Sequence, residues 1–344
     1  MPKRYPRLRL AQFDYRVPSQ AIAQKPIRPR DHSRLLVMDR QTGVLQHRHF
    51  FDLPQFLQPG DVLVFNNSKV FPARLMARKE TGGKLEVFLL RPRHGKTWEV
   101  LIGGKIRRIG MRLRFGRGLS GVISKQGSAG VWQVRFSALP DRVRRIAELI
   151  GSTPTPPYIK RAARLPDYQT VYAGPIGSVA APTAGFHFTK RLLLKLKRMG
   201  VQLEYVTLHV GFGTFQPITT DDITKHRMHR EHAVVDGGTA RRIHQAKKEG
   251  RRVIAVGTTS VRVLETALAR KHIGAFQGWI NTYIYPGYGF RMTDAMITNF
   301  HVPQSSLLLL VSAFAGREKI LRAYRSGLRR GYRFHSFGDA MLMV

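Results

Sequence analysis

The side chains able to move protons in this sequence gather in a few irregular segments. His187 follows AAPTAG (180–185), a run too small to form a core and too rich in glycine and proline to be regular. Such a segment lets a ligand approach the backbone closely. His209 stands near the end of the β run 203–210, which opens into Gly211-Phe212-Gly213-Thr214. A strand that ends in a glycine turn with a polar side chain at its tip is where α/β folds hold ligands. Residues 257–260, Gly-Thr-Thr-Ser, follow an apolar run (253–256) and precede a helical pattern at 261–268. Free N–H groups and hydroxyls there suit a carboxylate or phosphate, while ordinary Ser/Thr capping explains the same residues. Asn299 and His301 sit at a strand end before Pro303, a functional-loop position. A histidine there serves equally well as a hydrogen-bonded structural residue. Glu231 and Glu265 complete the set of acid–base candidates.

Three imidazoles at intervals of three, His226, His229 and His232, raise the question of a metal site. They lack an i, i+4 pair on a settled helix and no second cluster completes them, so no metal is expected. A substrate-ordering loop or a proton donor fits His229 better. The absence of cysteine excludes disulfides, thiolate ligands and a cysteine nucleophile. Gly211-Phe212-Gly213 follows a strand, but Pro217 blocks the helix a dinucleotide fingerprint requires. Gly95-Lys96-Thr97 matches the end of a Walker loop by chance, since Leu90 occupies the first glycine position and a β run follows. No Gly-x-Ser-x-Gly elbow is present.

The elements that must carry these residues read as two kinds of chain. Before residue 60 a short helical segment (21–23) and two strands (35–38, 46–51) are expected, with Asp31 and Arg34 as a local ion pair or as ligand groups. From 61 to 150 short β runs, beginning with 62–65, alternate with glycine-containing breaks and end in a helix at 143–150. This spacing predicts a small antiparallel barrel. A proline-rich linker (154–158) leads back to α/β character. Leu192, Leu193, Leu196 and Met199 recur at helical spacing and Gly200 stops that helix. A basic helix at 240–248, a buried parallel strand at 253–256 and helices at 307–314 and 317–330 follow. The barrel therefore reads as an insertion (61–150) in an α/β domain made of 1–60 and 151–344.

With 344 residues, 43% of them hydrophobic, the chain can bury two cores. It carries 58 Lys and Arg against 21 Asp and Glu, a formal charge of +37. A nucleic acid is the natural partner of such an excess, although it is dispersed along the sequence and a basic proteome also produces it. The basic N-terminus lacks a signal core and no apolar run is long enough for a membrane span, so a cytoplasmic protein is expected.

Several long strings occur in order: PGDVLVFNNSKVFPARL, YQTVYAGPIGSVAAPTAGFHFT, VTLHVGFGTFQPI, HRMHREHAVV, VIAVGTTSVRVLE, TNFHVPQSSLLLLVSAFAG and YRFHSFGDAML. Together they resemble the S-adenosylmethionine:tRNA ribosyltransferase-isomerases of queuosine biosynthesis over nearly the whole chain. The resemblance implies a barrel-like α/β main domain formed by both chain ends, with a small antiparallel β-barrel inserted. It implies transfer and isomerisation of the ribosyl part of S-adenosylmethionine onto 7-aminomethyl-7-deazaguanine (preQ1) at the wobble position of tRNA. Epoxyqueuosine forms, and adenine and methionine leave. S-adenosylmethionine is consumed, so no cofactor is implied; a monomer is expected. On this basis His187 and His209 are acid–base candidates, with His229, Glu231, Asn299 and His301 as further site residues. Thr183, Gly185, Gly211 and Gly213 would shape the pocket, and Thr258, Thr259 and Arg262 would meet the methionine carboxylate. Asn67-Ser68-Lys69 stands where the family most often carries Asp-Thr-Arg, and Phe186 replaces a leucine. An RNA-binding protein without activity would keep the basic surface but not need the His and Gly loops. A conventional methyltransferase would need the strand–glycine loop–helix fingerprint that is missing.

Overall fold

A computed structural model describes residues 8–344 apart from 105, 106, 129, 212, 214–217, 271 and 272. Phe212, Thr214 and Pro217 therefore lie outside the described residues. The chain forms two compact units, one of Met1–Ser68, Gln169–Pro175 and Pro182–Val344, the other of Lys69–Tyr168 and Ile176–Ala181.

In chain order the larger unit begins with β1 (Arg34–Met38), β2 (Leu45–His49) and β3 (Val62–Asn66). The second unit supplies β4 (Lys69–Val70), β5 (Arg74–Lys79), β6 (Lys84–Pro92), β7 (Thr97–Ile102), β8 (Arg112–Gly116), β9 (Leu119–Gln126), β10 (Val131–Phe136), α1 (Pro140–Ile150) and β11 (Ile176–Ser178). The larger unit resumes with α2 (Lys190–Arg198), β12 (Gln202–His209), β13 (Glu231–Val235), α3 (Gly237–Lys248) and β14 (Val253–Val256). Next come α4 (Thr258–Val263), β15 (Phe276–Ile280), β16 (Ala295–Asn299), α5 (Ser306–Ala315), α6 (Arg317–Arg329) and β17 (Ala340–Met343). The segment expected to be helical at 21–23 is a single 3-10 turn, Ser19–Ala21.

The smaller unit is a closed antiparallel barrel, β10-β7-β6-β5-β8-β9. Its strands alternate as a half-buried sheet must: Trp98, Val100 and Ile102 of β7 point inward, as do Leu113 and Phe115 of β8, and their neighbours face out. The larger unit is built on one mixed sheet of nine strands, ordered β15-β13-β12-β3-β14-β16-β17-β1-β2. The barrel-like character expected of this unit takes that form, with β15 and β2 at its ends; the closed ring belongs to the insertion.

Residues 62–65, expected to open the barrel, instead run through the middle of the large sheet between β12 and β14. Burial explains the placement. All five residues of β3 are buried, Val62 and Val64 in the cluster with α3, α5 and α6, Leu63 and Phe65 in the cluster with α2. A strand covered on both faces is an apolar run without alternation, as parallel strands between helices are. Asp31 and Arg34 do not pair: buried Asp31 accepts the Thr189 hydroxyl at 2.8 Å and faces Arg191 at 3.6 Å, while Arg34 lies over the Tyr332 ring.

Strand polarity decides what the larger unit presents at one edge. β12, β3, β14 and β16 are mutually parallel, so their C-terminal ends coincide. β13 and β17 are antiparallel to their neighbours in that set and β1 is parallel to β17, so these three begin at the same edge. That edge therefore collects Asn66, His209, Val256 and Asn299 from strand ends, and Glu231, Ala340 and Arg34 from strand starts. No helix among the described residues is long and apolar enough to cross a membrane.

Candidate active site at the carboxyl edge of the sheet

Asn299, the last residue of β16, is the hub of the first group. Its Oδ1 accepts the Thr183 hydroxyl at 3.1 Å, and its Nδ2 faces His187 Nε2 at 3.2 Å and donates to the His335 carbonyl at 3.4 Å. The carbonyl demands a donor, which fixes the amide orientation and makes His187 Nε2 the acceptor. The proton of the neutral ring then sits on Nδ1, 2.7 Å from Ser33 Oγ just ahead of β1. Burial, with the Arg333 and Arg30 charges adding to it, pulls the His187 pKa down to about 3. The imidazole is thus a neutral, fixed acceptor.

Thr183 and His187 begin and end one 3-10 turn, Thr183–His187. Gly185 in that turn is packed so tightly that an added Cβ would lie 1.9 Å from the Tyr172 hydroxyl. A Cβ on Gly257 would stand 3.4 Å from that of Ala184, so this turn lies against the junction between β14 and α4.

The second group surrounds Glu231, the first residue of β13. Its Oε1 accepts the Gly211 N–H at 2.9 Å and its Oε2 pairs with Arg262 of α4; both partners of the ion pair are buried. Arg262 Nε also donates to the Thr282 carbonyl at 3.2 Å. Arg262, Thr258 and Thr259 line a small cavity that Met228, Tyr283, Leu307 and Leu310 complete. Gly213 admits His229, since a Cβ there would fall 2.5 Å from the ring.

His209 is half-buried and lies parallel to His232 across the β12–β13 pair, ring centroids 6.2 Å apart. His232 in turn meets Trp279 of β15 edge-on at 5.3 Å. His226 packs against Tyr283, so the three regularly spaced imidazoles have three separate environments. Among the described residues no group of three His, Asp or Glu side chains is placed to hold a metal ion.

His301 turns away from both groups. Its ring bonds Thr298 at 2.8 Å, its N–H donates to Tyr324 OH at 3.1 Å and its carbonyl accepts the Tyr15 hydroxyl. Burial and the neighbouring His335 lower its pKa to about 3. Glu265 is an anchor: its carboxylate accepts the N–H groups of Arg291, Met292 and Thr293 and the Thr293 hydroxyl. Asn67, at the departure from Asp-Thr-Arg, accepts the Thr207 hydroxyl at 2.7 Å, a task its amide oxygen performs as a carboxylate would.

The sequence reading did not single out Arg30, Tyr283, Arg333 or His335. Ser33 stands 154 residues from its partner His187, a separation that no local pattern reveals.

Fold and site together define an α/β enzyme architecture with its polar groups on the carboxyl edge of parallel strands. Residues 10–343 match the family described as queuosine biosynthesis protein, and the chain belongs to that family. It is 52% identical over 342 residues to an S-adenosylmethionine:tRNA ribosyltransferase-isomerase of Moorella thermoacetica, covering 98% of this chain and 100% of the relative. A protein of the same name from Carboxydothermus hydrogenoformans is 48% identical with the same coverage. The crystal structure of an S-adenosylmethionine tRNA ribosyltransferase from Thermotoga maritima matches with a TM-score of 0.57 and 36% identity, over 97% of this chain and 100% of that one.

Proposed function

We propose that this protein transfers and isomerises the ribosyl group of S-adenosylmethionine onto preQ1 at the wobble position of tRNA, giving epoxyqueuosine and releasing adenine and methionine. The observation that carries the reading is the convergence of His187, His209, Glu231, Arg262 and Asn299 at one edge of the sheet, in a chain 52% identical to a protein named for this activity.

The positive sulfur acidifies the carbon beside it, so a modest base suffices when well placed. His209, half-buried at the end of β12, is assigned the proton transfer. Loss of that proton sets up departure of adenine; the preQ1 amine then attacks the ribosyl carbon, and closure of the epoxide expels methionine. His187, held neutral by Ser33 and Asn299, positions the donor and accepts a hydrogen bond. Thr183, Gly185, Gly211 and Gly213 shape the walls. His229 and Glu231 order the loop and Arg262, while His301 supports the edge from behind. No cofactor is assigned, because the donor is consumed. The reaction belongs in the cytoplasm, where tRNA is found.

Incubation with S-adenosylmethionine and preQ1-containing tRNA tests this directly. Adenine, methionine and an epoxyqueuosine nucleoside in the digest are expected. S-adenosylhomocysteine instead would identify a methyltransferase, and tight tRNA binding without adenine would identify an RNA-binding protein.

A further inference from the structure

Two segments of the larger unit each put one residue into the candidate site and its neighbour out onto the surface. Ser33 and Phe50 are buried against His187, with Ser33 Oγ 2.7 Å from Nδ1 and the Phe50 ring centroid 5.0 Å from that of the imidazole. The Phe50 N–H donates to the Ser33 carbonyl at 2.8 Å and ties the two segments together. Their chain neighbours His32 and Phe51 meet each other edge to face, ring centroids 5.2 Å apart. His49, the last residue of β2, lies parallel to Phe51 at 5.1 Å. Both imidazoles are exposed and Phe51 is 36% exposed. Because His49 pairs with Arg34 at the start of β1, these three rings stand at the carboxyl edge. A single wet aromatic ring is ordinary. Three in contact are not needed by a core that already closes beneath them through Phe50 and Phe188, centroids 4.9 Å apart.

The surroundings are cationic. Arg34, Arg48 and Arg191 are all exposed. The Arg34 and Arg48 side chains bond carbonyl and amide oxygens, not carboxylates, among the described residues. Arg191 faces Asp31 at 3.6 Å, but that acid is buried and also accepts the Thr189 hydroxyl. Asp52, next to Phe51 in the chain, accepts the His49 N–H and the Gln55 amide at the start of a 3-10 helix. Aromatic rings with a cationic rim suit unpaired bases joined by phosphates, since every base has a π face and every phosphate a charge. A double-stranded stem keeps its bases stacked on one another, which leaves unpaired nucleotides as the partner these rings select.

We propose that His32, His49 and Phe51 form a stacking platform for the unpaired anticodon-loop nucleotides beside the wobble position, whose phosphates lie against Arg34, Arg48 and Arg191. The assignment rests on the reaction proposed above and adds how the loop is held open. Bases flanking the modified one leave their own stack for these rings, one residue along the chain from the two partners of His187. The rings bind RNA and take no part in the chemistry.

The test measures adenine release with preQ1-containing tRNA, and binding of a preQ1-containing anticodon stem-loop and of an RNA duplex of the same length. It uses the full chain as wild type, Phe51→Ala, Phe51→Tyr and Arg48→Gln. Phe51→Ala should raise KM for tRNA and the stem-loop Kd about 5–50-fold, while KM for S-adenosylmethionine and duplex affinity stay at wild-type values. Phe51→Tyr keeps the ring and should restore both. Arg48→Gln should weaken stem-loop binding and lower its log–log salt slope by about one, a slope that Phe51→Ala leaves unchanged. Unaltered tRNA KM and stem-loop Kd in Phe51→Ala, with native circular dichroism, would overturn the platform. A tyrosine variant no better than the alanine one would overturn it too, since the loss would then be structural. Wild type that releases no adenine, yet binds the stem-loop in a Phe51-dependent way, would overturn the reaction and leave the platform standing.

Discussion

The amide of Asn299 is oriented from three sides, by a hydroxyl, an imidazole and a carbonyl, and this fixes the tautomer of His187. His187, His301 and His335 are held neutral with pKa values lowered to about 3, about 3 and about 4, burial being the leading cause in each. The unfolded chain binds protons at these positions near pH 6.5, whereas the folded one does not. Stability is therefore complete above about pH 6.5 and is lost as pH falls from there towards 4, by up to about 1.4 kcal/mol per pH unit for each histidine. Denaturant titrations at pH 7, 6 and 5 should show that slope; a midpoint unchanged across the range would contradict the buried, neutral assignment. Gly185 provides a second check. Gly185→Ala drives a Cβ into the Tyr172 hydroxyl and should cost about 1–3 kcal/mol, read as a lower denaturation midpoint. His187, Thr183 and Asn299 could be singled out as candidates because they stand in irregular, glycine- and proline-flanked segments, and the structure brings the three together. Ser33 and His335 were not, because only the shared edge of β1, β16 and β17 brings them there.

Strands and helices bring these scattered residues to one edge of the sheet through direction. Four parallel strands deliver their ends to the carboxyl edge, and β1, β13 and β17 start from it. β3 sits at the centre of that arrangement with no exposed residue. Leu63→Ala should therefore destabilise the larger unit by about 2–5 kcal/mol, as measured by urea unfolding, because it empties a site packed from both neighbouring strands. A loss below about 1 kcal/mol would mean that β3 is not an interior strand covered on both faces. The barrel was readable from the regular spacing of short β runs between glycine-containing breaks, because its strands are joined by tight turns. β3 was misplaced because a strand buried on both faces carries no period, and the run beside a turn matched the barrel's strand spacing equally well. Helix α4 was expected to extend over 261–268; it changes to a π turn at Leu264–Leu268, where Glu265 gathers the N–H groups of 291–293.

Across the whole molecule, charge is the dominant property. Many of the acids are in ion pairs, such as Glu204 with Arg242, Asp61 with Arg252 and Asp294 with Lys247, and 21 acids cannot balance 58 bases. The excess is displayed on helix faces: Lys190, Arg191, Lys195, Lys197 and Arg198 of α2 are all exposed. Binding of tRNA should therefore weaken steeply with salt, by roughly a thousandfold between 50 and 200 mM for about six phosphate contacts. A dissociation constant insensitive to salt would detach the charge from RNA binding. That partner was suggested by composition and sharpened by the family; the sequence alone did not show which surface is basic.

The central claim is that chemistry takes place at the carboxyl edge of the parallel strands, with His209 moving the proton. Adenine release by His209→Gln, in the presence of preQ1-containing tRNA, tests it most directly. A fall in kcat of about 100-fold or more, with the fold and tRNA affinity retained, is the predicted result. Release at the wild-type rate would place the proton transfer elsewhere.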